Sequence, residues 1–287
     1  IGHRSRYSTA PVVSTEPRSG LAANTLQARA MKIATWNVNS VRARKERLVR
    51  WLERHRPDVL CLQELKAQTT DFPREEIQAL GYDAAAFGQK TYNGVAIIAR
   101  HELQSVRRGF DDGAPEDEQA RLIAATVGGL RVVCAYVPNG AEVGTDKYEY
   151  KLRWLSRLSA YLQRHHVPAE SLLLCGDFNV APTDKDVAQP DVWRGSVLCV
   201  DAVRDALQTV VDWGLVNLFR QHHDTGGHYS WWDYRMLAFP KNNGLLIDHL
   251  FGTEAISRRC RTSYIDRDER KGQQPSDHAP VVIELDD

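Results

Sequence analysis

No apolar run in the 287-residue chain approaches the ~18 consecutive residues that a membrane-spanning helix needs, and the first thirty residues lack the apolar block of a secretory signal. A soluble, cytoplasmic protein is expected. Cysteine is scarce: Cys61, Cys134, Cys175, Cys199 and Cys260 are scattered, odd in number and without CxxC spacing, which excludes a disulfide framework and a cysteine-built zinc site. They read as reduced core residues. An excess of charge is also missing. Lys plus Arg and Asp plus Glu each total 37, so the formal net charge is zero. That balance excludes a polycation coating nucleic acid nonspecifically, but leaves room for a basic rim around an acidic, metal-holding centre. Tandem repeats and low-complexity linkers are absent too. With 43% apolar residues the chain is long enough to bury a sizeable core as one continuous domain.

Residues 1–30 are rich in Ser, Ala, Arg and Thr, carry one acid, Glu16, and show no periodicity. They read as a disordered or expression-derived tail ahead of a domain spanning 31–287. From Met31 onward short apolar, β-branched runs alternate with amphipathic stretches, the pattern of an α/β protein with buried strands. Strands are expected at Lys32–Thr35, Val59–Gln63, Val95–Ala99, Leu122–Val127, Arg131–Tyr136, Leu172–Cys175, Leu246–Phe251 and Ala279–Leu285. Gly128-Gly129 between two of them fits a tight hairpin, hence an antiparallel pair, which excludes a purely parallel sheet. Helices are expected at Lys45–His55, with Leu48, Trp51 and Leu52 on one face, and at Lys147–His165, with Tyr148, Leu152, Leu155, Leu158 and Leu162 on one face.

Polar residues recur where an apolar strand stops: Asn37 and Asn39, Glu64, Tyr136 and Asn139, Asp177 and Asn179, Asp248, and Asp277-His278. Each alone has an ordinary explanation. Glu64 reads as a solvated strand end, Asp177 and Asn179 as turn chemistry, Asp248 as a surface acid, His278 as a structural histidine and Tyr136 as a core aromatic. If the strand ends point the same way, however, the six sites converge on one cleft and supply the parts of phosphodiester hydrolysis. Glu64, Asp277 and the Asn37 amide offer oxygen to a hard cation such as Mg²⁺. Asp177 is placed to position or deprotonate water, with Asn179 fixing its geometry. His278, kept cationic by Asp248, and Tyr136 would donate to phosphate oxygens as charge builds.

In order along the chain, WNVN at Asn37, LQELK at Glu64, NGVAI from Asn93, YVPNG from Tyr136, GDFNVAPTD from Gly176, SWWDYR from Ser230, GLLIDHLF from Gly244 and SDHAPV from Ser276 resemble the exonuclease III family of abasic-site (AP) endonucleases, within the endonuclease/exonuclease/phosphatase superfamily. The resemblance implies a four-layered α/β sandwich, two mixed sheets face to face with helices outside. It implies Mg²⁺, with Mn²⁺ able to substitute, and a monomer that cuts double-stranded DNA 5′ to abasic sites and trims or cleans blocked 3′ ends in base excision repair. In a bacterium such a protein would be nucleoid-associated. It carries over Glu64 and Asn37 to the metal, Asp177, Asn179 and Tyr136 to the phosphate, and Asp248 paired with His278 after Asp277. By similarity Arg42, Lys66, Tyr92, Asn93 and Asn139 would face phosphates or the groove, and Trp231, Leu245 and Ile247 would wall a pocket for the flipped-out abasic sugar.

Two departures stand out. Asn139 replaces the Gln of the enterobacterial form, amide for amide, and Leu245 stands where some eukaryotic members place Trp, which would loosen the abasic pocket and favour 3′-end processing. Two rival readings keep the fold. A superfamily phosphatase acting on inositol phosphates, sphingolipid head groups or RNA would share the metal Glu, the GDxN element and the SDH ending, but not SWWDYR or the YVPNG context. A non-catalytic DNA-binding module would have lost at least one of Glu64, Asp177, Asp248 or His278, and none is lost. His165-His166 and His222-His223 give no tetrahedral set with Cys or acid partners and read as surface residues.

Overall fold

Twelve strands form among the residues that the computed structural model describes, 1–3, 30–114 and 119–286. The expected tail lies almost wholly outside them. One six-stranded sheet runs, in spatial order, β11 (Cys260–Ile265), β12 (Val281–Leu285), β1 (Met31–Asn37), β2 (Val59–Gln63), β4 (Val95–Ala99) and β3 (Asp83–Phe87). The other runs β5 (Gln104–Arg108), β6 (Leu122–Val127), β7 (Leu130–Tyr136), β8 (Leu172–Asp177), β10 (Asp248–Thr253) and β9 (Leu215–Asn217). Both are mixed: β1 with β2 and β7 with β8 are parallel, and the remaining pairings are antiparallel.

Side-chain alternation sorts these strands into layers. Ile33, Val59, Cys61, Ile97, Val132 and Cys134 meet Leu173 and Cys175 between the sheets. Neighbours of opposite parity face outward: Ala34, Trp36, Leu60 and Leu62 pack under α1 (Lys45–His55) and α2 (Arg74–Ala79), and Val133, Ala135, Leu172 and Leu174 under α3 (Asp146–His165) and, past α4 (Pro190–Trp193), α5 (Asp201–Val211). Strands covered on both faces need apolar residues at every position, which is why β2, β4 and β7 are buried throughout. The four-layered sandwich is therefore present. All five cysteines are free and buried, and among the described residues no helix is long and apolar enough to cross a membrane.

The strands missed in the sequence have weak signals for physical reasons. β3 is largely alanine, β5 (QSVRR) is an exposed edge, β9 has only three residues, and β11 is mostly polar. β10 begins at Asp248 rather than Leu246, because the Leu246 N–H is taken by the Asp186 carbonyl. β12 likewise begins at Val281 rather than Ala279, whose N–H donates to the Ser230 carbonyl. On α3 the buried stripe contains Tyr148, Lys151, Leu155, Leu158 and Leu162, while Leu152, expected on it, is only half-buried.

Candidate active site

The same period-two rule carries the polar strand ends inward. Asn37 follows Ile33 and Thr35 in parity, Tyr136 follows Val132 and Cys134, Asp177 follows Leu173 and Cys175, and Asp248 precedes Leu250, so all four face the space between the sheets. Register brings them to one end: Tyr136 pairs with Asp177 across β7 and β8, and Asp248 with Asp177 across β10 and β8. Glu64 and Asn179 then leave their strands in left-handed backbone, at φ 52° and 50°. For a glutamate this conformation costs on the order of 1–3 kcal/mol, and such strain concentrates at functional sites. Gly176 is required for a different reason. A Cβ there would sit 1.8 Å from the Ala135 carbonyl oxygen, so only glycine lets β8 close on β7 one residue before Asp177.

Asn37 is the hub of the carboxylates. Its Nδ2 donates to Glu64 Oε1 at 3.0 Å and to Asp177 Oδ2 at 2.9 Å, and its Oδ1 accepts from the Asn39 N–H. The amide thus orients the two carboxylates, while its oxygen, the atom expected at a metal, already accepts one backbone N–H and keeps a second lone pair. Tyr136 donates its hydroxyl to Glu64 Oε1 at 2.8 Å, and Lys66 Nζ reaches Glu64 Oε2 at 2.9 Å. Burial alone would raise the Glu64 carboxyl, but the Lys66 ammonium and the Asn37 hydrogen bond outweigh it and hold the group below its ordinary value. The Tyr136 phenol is pushed well up by burial and by the Glu64 charge, so it remains a donor.

On the opposite wall, His278 Nδ1 lies 2.8 Å from Asp248 Oδ2, and its Nε2 faces Asp177 Oδ2 at 3.8 Å. Burial favours a neutral imidazole, yet the flanking Asp248 and Asp177 carboxylates dominate and raise it to about 10. Asp177 goes the other way. Burial raises it to about 7, with the His278 charge opposing and the Asp248 charge adding to the rise. Its carboxylate accepts from Asn37, from the Asn179 N–H at 2.9 Å and from Asn179 Nδ2 at 3.3 Å. Asn179 in turn donates to the Val137 carbonyl and accepts from Asn139 Nδ2 at 3.1 Å.

Glu64, Asp177 and His278 bring ligand-type atoms within 4.8 Å of one another. The two carboxylates are the hard oxygen donors of this set, the type of atom that a divalent cation such as Mg²⁺ takes as ligand. Asp277, next to His278 in the chain, accepts from Asn39 Nδ2 at 2.8 Å and from Trp231 Nε1 at 3.0 Å.

Lys66, Tyr92, Asn93 and Asn139 line an open cleft of about 560 Å³ that also exposes Glu64 and Tyr136. Arg42 pairs with Asp71 and lines a different depression. Trp231 is half-buried and meets Trp193 edge-on at 5.8 Å, whereas Leu245 and Ile247 are 0% and 2% exposed and belong to the core beneath it. Leu245 is sealed because its backbone bridges to Val187 on one side and Trp231 on the other. Of the three residues expected to wall a pocket, Trp231 is thus the one with exposed surface, and Leu245 and Ile247 pack beneath it. Trp232 is fully buried against Phe239 as part of a small separate core.

The model of the endonuclease/exonuclease/phosphatase family matches residues 34–278, from β1 through His278. The chain belongs to this family. Its relatives within the endonuclease/exonuclease/phosphatase family include the exodeoxyribonuclease III of Haemophilus influenzae, 35% identical over 89% of this chain and the whole of that protein. Among solved structures, an AP endonuclease from Archaeoglobus fulgidus superposes with a TM-score of 0.87 at 36% identity, covering 90% of this chain and all of the other. The 3′ phosphatase NExo from Neisseria, in a variant bound to product DNA hairpin, gives 0.86 at 40% identity over the same shares.

Sequence reasoning passed over several residues that hold this family member's site together. Ser230 donates to Asp248 Oδ2 at 2.6 Å, and Ser276 donates to the Asn37 carbonyl at 2.7 Å. Arg44 ties the Asn39 and Pro275 carbonyls to the Tyr234 hydroxyl. Both serines lie inside motifs already recognised, and the signal overlooked was a small hydroxyl beside a buried acid or histidine.

Proposed function

We propose that this protein is a Mg²⁺-dependent DNA phosphodiesterase, with Mn²⁺ able to substitute, that incises duplex DNA 5′ to abasic sites and also trims or cleans 3′ ends. The observation that carries the reading is the apposition of Asp177 and His278, 3.8 Å apart beside Glu64: a proton acceptor, a cationic donor and a metal carboxylate in one cluster, of which Glu64 opens to the cleft. The names of the relatives, exodeoxyribonuclease III, AP endonuclease and 3′ phosphatase, supply the substrate class.

Glu64, with Asp277 and the Asn37 amide, would hold the cation. When bound, a hard divalent ion supplies charge that neutralises phosphate oxygens. The chain's own groups do the rest. Asp177, raised toward neutrality by burial, accepts a proton from the attacking water. Asn179 and Asn37 fix its two oxygens. His278, held by Asp248, and Tyr136 donate to the phosphate or leaving oxygen. Lys66, Tyr92, Asn93 and Asn139 track the strand along the cleft.

Glu64→Ala is expected to raise the half-saturating Mg²⁺ concentration at least about ten-fold, the usual scale for losing part of a metal's ligand environment, with DNA affinity little changed. Activity titrated against Mg²⁺ measures it. Ser230→Ala should lower kcat about ten-fold with KM near wild type, because one hydrogen bond to a charged group, on the order of 1.5 kcal/mol, no longer orients Asp248. The substrate class is tested by offering the protein, with Mg²⁺, a duplex bearing a 3′-phosphate beside an inositol phosphate. Preference for the duplex is expected. Phosphate release from the inositol compound alone would move the assignment to the superfamily phosphatases.

A further inference from the structure

Lys151 is a lysine on the buried stripe of α3, and its side chain is 0% exposed. An apolar residue would satisfy that position at lower cost, since among the described residues no carboxylate is paired with the ammonium and burial pulls it down to about 7 against the field of Asp177. Its three protons instead meet three backbone carbonyls, Asn139 at 3.1 Å, Asn179 at 2.6 Å and Val197 at 2.6 Å. Those carbonyls come from three separate segments: the exit of β7, the exit of β8 and the stretch before α5. The first two carry the linked amides Asn139 and Asn179, and Asn179 grips Asp177 through both its backbone and side-chain N–H groups. The lysine stem passes under the turn of YVPNG so closely that a Cβ on Gly140, at φ +95°, would lie 3.0 Å from Lys151 Cδ.

We propose that Lys151 is a positioning residue of the nuclease: a buried ammonium that clamps the β7 and β8 exit loops together and thereby sets the Asn139–Asn179 pair against Asp177. The assignment rests on the phosphodiesterase reading above. A residue that merely filled the core would affect stability alone, whereas a clamp affects the placement of the reacting groups, where a shift on the order of 1 Å costs up to ~10²-fold in rate.

The test compares Lys151→Met, which keeps the stem and removes the three donors, with Leu158→Ala, a cavity variant two helical turns along the same stripe. Each is assayed on an abasic duplex below its own unfolding transition, and Lys151→Met is combined with Asn179→Ala. Lys151→Met should lower kcat at least about ten-fold with KM within a few-fold, Leu158→Ala should stay within about two-fold of wild type, and Lys151→Met should add almost nothing to the loss in Asn179→Ala. Where Lys151→Met does not fold, Lys151→Gln, which retains two donors, is read by the same criteria. Equal kcat for the lysine and leucine variants, or losses that multiply in the double variant, would overturn the clamp. Wild-type protein inactive on the duplex would instead overturn the nuclease reading, and the inference with it.

Discussion

Asp177→Asn is expected to reduce turnover on the order of 10⁴-fold, the upper range for removing a general base, while DNA is bound as tightly as by wild type or tighter. The amide has the same shape, and its oxygen can still accept from the Asn179 N–H. What it lacks is basicity. Burial lifts Asp177 to about 7, which gives it a neutral-range proton affinity beside Glu64 and His278; Glu64 and Asp277 are both held below their ordinary values by neighbouring donors and charges. Substrate affinity should survive because the cleft contacts, Lys66, Tyr92, Asn93 and Asn139, are untouched and a negative charge that repels phosphate is gone. Single-turnover cleavage and filter binding on the same duplex separate the two effects.

His278→Ala should lower kcat about 10²–10³-fold, the scale of losing one preorganised donor to a developing oxyanion. The imidazole is kept cationic by Asp248 and Asp177 on its two sides, so it carries a full charge into the site. Removing it also takes the imidazolium from the buried Asp248 carboxylate, which keeps only the Ser230 hydroxyl among the side-chain donors described, a change of up to about 3–5 kcal/mol in stability. Thermal unfolding must therefore be measured beside the kinetics, and rates compared where both proteins are folded. Asp248→Asn provides the control. It keeps the packing but no longer holds the imidazole as a cation, and it should reproduce most of the kinetic loss with a smaller loss of stability. Near-wild-type turnover in a folded His278→Ala protein would mean that the centre lies elsewhere.

Much of this site could be read from the strands alone. Ile33-Ala34-Thr35-Trp36-Asn37, Val132 to Tyr136 and Leu172 to Asp177 each alternate between two apolar faces and end on a polar residue of the inner parity, so the positions of Asn37, Tyr136 and Asp177 follow once the sheets are stacked. Tertiary pairing decided the rest. The amide of Asn37 turns its nitrogen, not its oxygen, toward Glu64 and Asp177 because the Asn39 N–H claims the oxygen, and no sequence pattern encodes that competition. Arg42 is drawn off by Asp71, a residue 29 positions away, and Leu245 is sealed by bridges to two separate segments. Lys151 left a trace that could have been followed: a charged residue on the apolar stripe of a helix has to meet partners inside the protein.

The reading that these strand ends form a metal-dependent, DNA-cutting centre is tested most directly with a labelled duplex carrying a single abasic analogue, incubated with the wild-type protein in Mg²⁺ and in EDTA. A single incision 5′ to the abasic position, leaving a 3′-hydroxyl and abolished by EDTA, is the predicted result. An intact duplex in Mg²⁺ and Mn²⁺, or the same incision undiminished in EDTA, would contradict it.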